Sequence, residues 1–399
     1  MDGIVAARPL TAADARAVDR RPRACAAADY DLRLAAPADD PEIRALLRAS
    51  AFAGDVRLSL EREPDSALGG SIEGDVHHTV VARHRGTGAL AGIASRAVRS
   101  AFVNGRVARI GYLGQLRIDE RFRRRRALLD AGFALCRRLS SHDGASIHLA
   151  SVVADNNAAQ RLLARRTSEW PTFEPIDTLV SLAIAVNQRL RVRLPTEIQL
   201  TCGTTPFVAE IASCVNRHGS RAQFFPCWTS ADLSSPSRCR GLAIDDFVVA
   251  STAGRVVGCA ACWDQRAFKQ VVVRGYAPVL GRWRRAINMF SSLTGAPALP
   301  EVGAQLPFAY VSHFAVDPEV DANAITIALV DAVCRRARSK GLEYVVLGLP
   351  ARGTELGAVK RAFRHRAYES VLYVGYWPEG TAAASSLDGR PANPELAIL

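Results

Sequence analysis

Two stretches of this chain align without a gap at an offset of 198 residues, Tyr112 to Arg138 against Tyr310 to Arg336. Tyr112 stands against Tyr310, Asp119 against Asp317 and Cys136 against Cys334, and both stretches end in Arg-Arg. In each, an apolar run leads through a loop into a helical pattern, and a second strand follows, at 146–152 and at 344–348. Upstream, 79–92 and 247–258 also match, each reading as strand, glycine turn, strand. A helical pattern precedes each hairpin, at 40–50 and 206–217, with Pro41 and Pro206 near the first helical positions. Each half therefore reads helix, hairpin, long strand, helix, strand, helix, strand. Two matched blocks in one order point to a duplicated unit.

The expected fold class is α/β, an α+β mixed sheet: two tandem domains, each with a central, mostly antiparallel mixed sheet flanked by helices. A length of 399 residues suits two domains. Charge and Pro195 break the apolar pattern between Gln188 and Thr196, which places the boundary there. The predicted division is a leader at 1–28, an N-terminal domain at 29–188, a C-terminal domain at 189–382 and a tail at 383–399. The second domain carries an insertion at about 264–300, with an apolar run at 269–274 and a basic helix-like run at 283–293.

A net charge of +12 favours anionic partners. Its placement is uneven, since residues 101–140 hold ten arginines against three acids. Nine cysteines at irregular spacing read as reduced thiols. Cys259 and Cys262 lie in an apolar strand pattern and read as core residues rather than metal ligands. With no long apolar run and no signal-peptide pattern at the start, the expectation is a cytoplasmic protein with no membrane partner.

Leu116-Arg117-Ile118 ends the long strand of the first half, and Arg123-Arg124-Arg125-Arg126-Ala127-Leu128 leads into a helix. After the next strand, Asn156 and Ala159 open another helix that reaches Leu163. With the order of elements, these residues resemble the GNAT acyltransferase superfamily over most of 29–380. That family follows its strand with R/Q-x-x-G-x-G/A and then with N-x-x-A-x-x-L-Y. Here Arg123 takes the R/Q position, Arg126 and Leu128 stand where the family has small residues, and Leu163 replaces the tyrosine.

The resemblance implies an acyl-CoA site in the first half. Backbone of Leu116, Arg117 and Ile118 would pair with the pantetheine. Arg123 to Leu128, at a helix N-terminus, would receive the pyrophosphate, with arginine forks in place of glycine backbone. Asn156 would belong to the same site or serve as a helix cap. In the second half Asp321 takes the R/Q position, where an acid repels phosphate, so one cofactor site is expected.

Catalytic candidates are Tyr112, on the long strand, and His313, which the offset matches to Gln115. Glu73 and Asp75 are weaker ones, and His77-His78 reads as surface. The implied activity is acyl-CoA-dependent N-acyl transfer to a small-molecule or peptide amine. Acetyl-CoA or another acyl-CoA is the co-substrate, and no metal is required. The absent glycines and tyrosine keep open a non-catalytic acyl-CoA-binding or sensing protein. The arginine run raises nucleic acid as a partner, but the aromatic interleaving of a dedicated binder is missing.

Overall fold

The computed structural model describes residues 29–399, apart from Ala53, Arg124, Arg125, Arg189, 295–297 and Val320, and without the side chains of 290–294. The expected leader at 1–28 lies outside the described residues.

The first half runs β1 (Tyr30–Leu34), α1 (Asp40–Ala49), β2 (Val56–Glu61), the single turn α2 (Gly70–Glu73), β3 (Val76–His84), β4 (Leu90–Val103), β5 (Arg106–Ile118), α3 (Arg126–Asp143), β6 (Ile147–Val153), α4 (Asn157–Leu163) and β7 (Thr172–Ala185). The second half runs β8 (Gln199–Cys202), α5 (Val208–Gly219), β9 (Phe247–Thr252), β10 (Arg255–Trp263), β11 (Gln270–Tyr276), α6 (Pro278–Thr294), β12 (Phe308–Val316), α7 (Ala322–Ser339), β13 (Tyr344–Pro350), α8 (Thr354–Ala362) and β14 (His365–Tyr376). Local chemistry sets the bounds. Pro41 lies in the first turn of α1, Asp40 and Glu42 face its positive end, and Ile43, Leu46 and Leu47 form its buried stripe. Asp321 caps α7 through the Ala324 N–H at 3.0 Å, and Ile325, Leu329 and Val333 recur on its buried face.

Twelve strands form one mixed sheet in the order β1-β3-β4-β5-β6-β14-β7-β13-β12-β10-β9-β8. The last strand of each half lies among strands of the other. β14 pairs antiparallel with β6, β7 pairs antiparallel with β13, and β7 and β14 pair with each other from His365–Ile184 to Tyr376–Thr172. The core follows this exchange. Val180, Leu182 and Ile184 of β7 pack with Val311, Leu329, Val333 and Leu347 of the second half. Leu372 and Val374 of β14 pack with Ala97, Ile110, Ile147 and Leu149 of the first. Each such side chain gains roughly 2 kcal/mol on burial, so each half draws appreciable stability from the other's last strand. A separate antiparallel ribbon, β2 with β11, joins the first half to the insertion.

Cys259 and Cys262 are both fully buried on β10, as their apolar setting predicts.

Candidate active site

The long strand of each half carries a β-bulge at the same repeat position. Opposite β4, two residues of β5 face one partner, because Ile93 pairs with Arg117 and Ser95 with Gly114. Gln115 in that bulge has φ of +51°, the left-handed region. Opposite β10, Cys259 pairs with Ala315 and Ala261 with Ser312, and His313 also has φ of +51°. Next to each bulge a parallel strand parts from its neighbour. β5 and β6 pair only at Gly111–His148 and Tyr112–Leu149, and β12 and β13 only from Phe308–Tyr344 to Tyr310–Val346.

The helix side of the first opening is apolar. Ala150, Val152, Leu163, Phe173 and Tyr373 form a buried cluster, with Leu113, Phe133 and Ala159 against it. Leu163, at the position where the signature has tyrosine, thus packs with Tyr373 from the exchanged strand β14. Burial pushes the Tyr373 phenol up, so it keeps its proton at neutral pH.

At the mouth of this opening lies the arginine loop. Asp119 accepts the Arg121 backbone N–H at 2.9 Å and pairs with the Arg121 guanidinium. Arg123 lies 3.1 Å from Glu120, and Arg126, the first residue of α3, lies 3.5 Å from Asp130. All three guanidinium groups are more than half exposed, so these pairs are weak and exchangeable for a phosphate. Arg124 and Arg125 lie outside the described residues.

The other sequence-predicted residues divide by where their side chains go. Leu116 is exposed. Arg117 donates to the Leu116 carbonyl at 3.0 Å and lies over the Phe52 ring. Ile118 pairs with Gly92 in the sheet. Ala127 is half-buried on α3. Leu128 turns inward against Tyr30, Ala82 and Ala91, so its bulk is spent in the core rather than in the loop. Asn156 caps α4, accepting the Ala159 N–H at 3.1 Å.

Tyr112 faces the interior on the other side of the sheet, with Arg99 6.0 Å from its ring. Burial, then the Glu73 charge, pushes its pKa up to about 12. Glu73 is buried and ionised. Burial opposes its charge, but the adjacent His77 and the Arg62 guanidinium hold its pKa down to about 2. Arg62 donates to Glu73 at 2.7 Å, and the bulge residue Gln115 reaches the same oxygen at 3.3 Å. The dyad His77-His78, read as surface, is half-buried, with His77 Nε2 3.3 Å from Glu73. Lys269, from the insertion, is buried in the same interior and donates to the Leu399 carbonyl oxygen at 2.7 Å.

His313 has a different setting. Its ring is fully buried among Trp228, Phe247 and Trp263, with centroids 4.4, 5.2 and 5.7 Å away. Burial holds its pKa below the ordinary imidazole value. Four strands separate β12 from the β5 that carries Tyr112. The chain's own C-terminal segment fills the second opening. Glu395 accepts the His313 backbone N–H at 2.6 Å and the Trp228 indole N–H at 3.3 Å. A Cβ on Gly348 would lie 2.6 Å from Leu396 Cβ. The same segment also reaches the first half, where the Ile398 carbonyl accepts from the Arg99 guanidinium at 3.2 Å.

The chain resembles solved structures in its overall fold. Over 88% of this chain and 96% of the other, it superposes on a GCN5-related N-acetyltransferase from Sphaerobacter thermophilus, at 14% identity and TM-score 0.52. The Saccharomyces cerevisiae N-myristoyltransferase solved with bound myristoyl-CoA matches at 11% identity and TM-score 0.56, over 89% of this chain and 84% of that one. A glucosamine N-acetyltransferase region of a fungal multi-domain beta-N-acetylglucosaminidase gives TM-score 0.58 at 13% identity, over 87% of this chain and 38% of that one. This chain has the GNAT fold. No protein-family model matches its sequence, and no curated protein matches it either.

Within this GNAT fold, sequence reasoning missed Arg62, Arg99, Lys269 and Glu395. None carries a motif signal, and each reaches the site from a distant segment. Tyr112 was marked by its place on the long strand, and Glu73 by its place ahead of the hairpin. Among the described residues no group of His, Cys, Asp and Glu is placed to hold a metal.

Proposed function

We propose that this chain is an acyl-CoA-dependent N-acyltransferase whose donor binds in the first half, in the opening between β5 and β6. The difference between the two openings carries this reading. In the second half residues 395–398 pack against β12 and β13, whereas the first opening has an apolar wall and an arginine-lined helix N-terminus at its mouth. Such an N-terminus with exposed guanidinium groups suits a pyrophosphate. Residues 116–118 border the opening and would face the pantetheine. The halves are then diverged copies of one unit, of which one keeps the cofactor site.

The chemistry asks little covalent help of the protein. An amine nitrogen attacks the thioester carbonyl, a C–N bond forms, the C–S bond breaks, and the thiolate takes a proton. Tyr112, neutral at pH 7, suits donation or orientation rather than proton abstraction. The ionised Glu73, held beside Gln115, supplies a carboxylate that favours the ammonium formed on attack. Tyr373 takes the place of the absent helix tyrosine as proton donor to the leaving sulfur. His313 belongs to the structure of the second half in this account. Acetyl-CoA is the default donor and a longer acyl-CoA the variant to compare, with a small-molecule or peptide amine as acceptor.

Calorimetry with acetyl-CoA, myristoyl-CoA and free CoA tests the donor site. Micromolar binding that weakens roughly tenfold or more in Arg123→Ala/Arg126→Ala supports it, that factor being about 1.4 kcal/mol. The absence of binding to every CoA species would sink it. Thiol release with a panel of amines then separates an enzyme from a sensor.

A further inference from the structure

The helix α6 of the insertion has its polarity turned outside in. Two of its half-buried side chains, Arg284 and Asn288, are polar. Arg284 donates to the carbonyl oxygens of Leu299 at 3.2 Å and Pro300 at 3.1 Å. Asn288 donates to the Leu299 carbonyl at 2.9 Å and accepts its N–H at 2.7 Å. The outward face is apolar. Val279, Trp283 and Ile287 recur every fourth residue and therefore share one face; they are 73, 59 and 41% exposed. Met289, elsewhere on the exposed surface of the helix, is 68% exposed. The long helix α7 shows the ordinary arrangement, with Ile325, Leu329 and Val333 buried. An outward stripe of large apolar side chains marks an interaction surface rather than a chance exposure.

Charge selects the partner. Pro278–Thr294 contains no aspartate or glutamate, while Arg282 and Arg285 are exposed at the border of the stripe. Arg284 has an acid, Glu301, at 3.5 Å. The whole chain carries +12. The described outward stripe also holds no polar group that would fix a register in a protein groove. A single helix with an apolar face, an interfacial tryptophan and flanking arginines matches a bilayer surface with anionic headgroups.

We propose that α6 docks flat on an anionic lipid surface. Val279, Trp283 and Ile287 enter the boundary between headgroups and acyl chains, and Arg282 and Arg285 meet lipid phosphates. The sequence expectation of no membrane partner rests on the lack of a spanning segment, and no described helix is long and apolar enough to cross a membrane. A helix lying in the interface needs no such length.

The chain carries its own probe. Of its five tryptophans, Trp170, Trp228, Trp263 and Trp377 are buried, so a change of emission on binding reports Trp283. The full chain is mixed with sucrose-loaded vesicles of phosphatidylcholine alone or in equal parts with phosphatidylglycerol. The expected result is sedimentation with the mixed vesicles, a blue shift of emission, and weakening by salt. Trp283→Gln/Ile287→Gln should bind at least about tenfold more weakly with an unchanged thermal midpoint, since both side chains are already in water in the free protein. The proposal is overturned by no binding to anionic vesicles, or by equal binding of the two vesicle types. A variant that binds as the parent does overturns it too. So does a dimer that dissolves in the variant while vesicles bind neither protein, or a buried-indole emission at Trp283 before vesicles are added.

Discussion

Gln115 and His313 lie 198 residues apart and hold the same left-handed backbone, with φ of +51° at each. Neither is glycine, so each position stores strain on the order of 1 kcal/mol and persists because its surroundings fix it. Different partners do the fixing. Gln115 is tied by its side chain to Glu73 in the first half. His313 is tied by its main chain to Glu395, from the far C-terminal segment.

Replacing Glu395 with alanine leaves the His313 N–H and the Trp228 indole N–H buried without their acceptor. A loss of about 2 kcal/mol is expected, the usual cost of orphaned buried donors. Urea unfolding monitored by circular dichroism measures it. An unchanged midpoint would show that the C-terminal segment does not hold the second opening closed.

Gly111 faces the His148 ring across the parallel pair, and a Cβ there would enter the imidazole. His148 is fully buried, and its Nε2 is hydrogen-bonded to Ser140 at 3.0 Å. It has little room to yield. Gly111→Ala should lower stability by roughly 1–3 kcal/mol. Differential scanning calorimetry reads the effect, and a double variant with His148→Ala should recover part of it.

Lys269 gives a pH dependence with a definite sign. Burial, reinforced by the Arg62 charge, lowers its pKa to about 7, against an ordinary value of 10.5. As pH rises, the native chain releases this proton first. Between about pH 7 and 10.5 the unfolded chain holds more protons, so this group makes stability rise with pH across that window. Below pH 7 both states are protonated and the contribution is flat. Urea midpoints of the parent and of Lys269→Met at pH 7, 8 and 9 compare the slopes. Equal slopes would contradict the assignment.

Tyr373→Phe keeps the ring packed against Leu163 and removes the hydroxyl alone. If that phenol protonates the leaving sulfur, the rate of thiol release falls by roughly 100-fold while donor affinity stays the same. A parallel loss of acyl-CoA binding would point to a packing role instead.

Local order was legible in the sequence because it depends on neighbours in the chain. Apolar periodicity gave the hairpins, the long strands and the helices after them, and the 198-residue offset matched even the two bulge positions. The opposed loops, Arg123 against Asp321, distinguished the halves for the same reason. Folding turned Asp321 into the cap of α7, a role that an N-terminal acid fills on local grounds.

The exchange of β7 and β14 was not legible. Both strands are apolar enough to pair with either half, and pairing over nearly 200 residues leaves no periodic trace. That exchange brings Tyr373 to Leu163 across the halves. The same holds for the buried charges. Arg62, Glu73, Arg99 and Lys269 look like ordinary surface residues in the sequence, and only packing of separate segments removes them from water, which shifts the pKa values of Glu73, Arg99 and Lys269. Sequence alone determined the elements and their order. Tertiary structure decided which strands neighbour one another, which charges are buried, and which of the two openings the chain fills itself, because those outcomes depend on contacts that sequence distance does not encode.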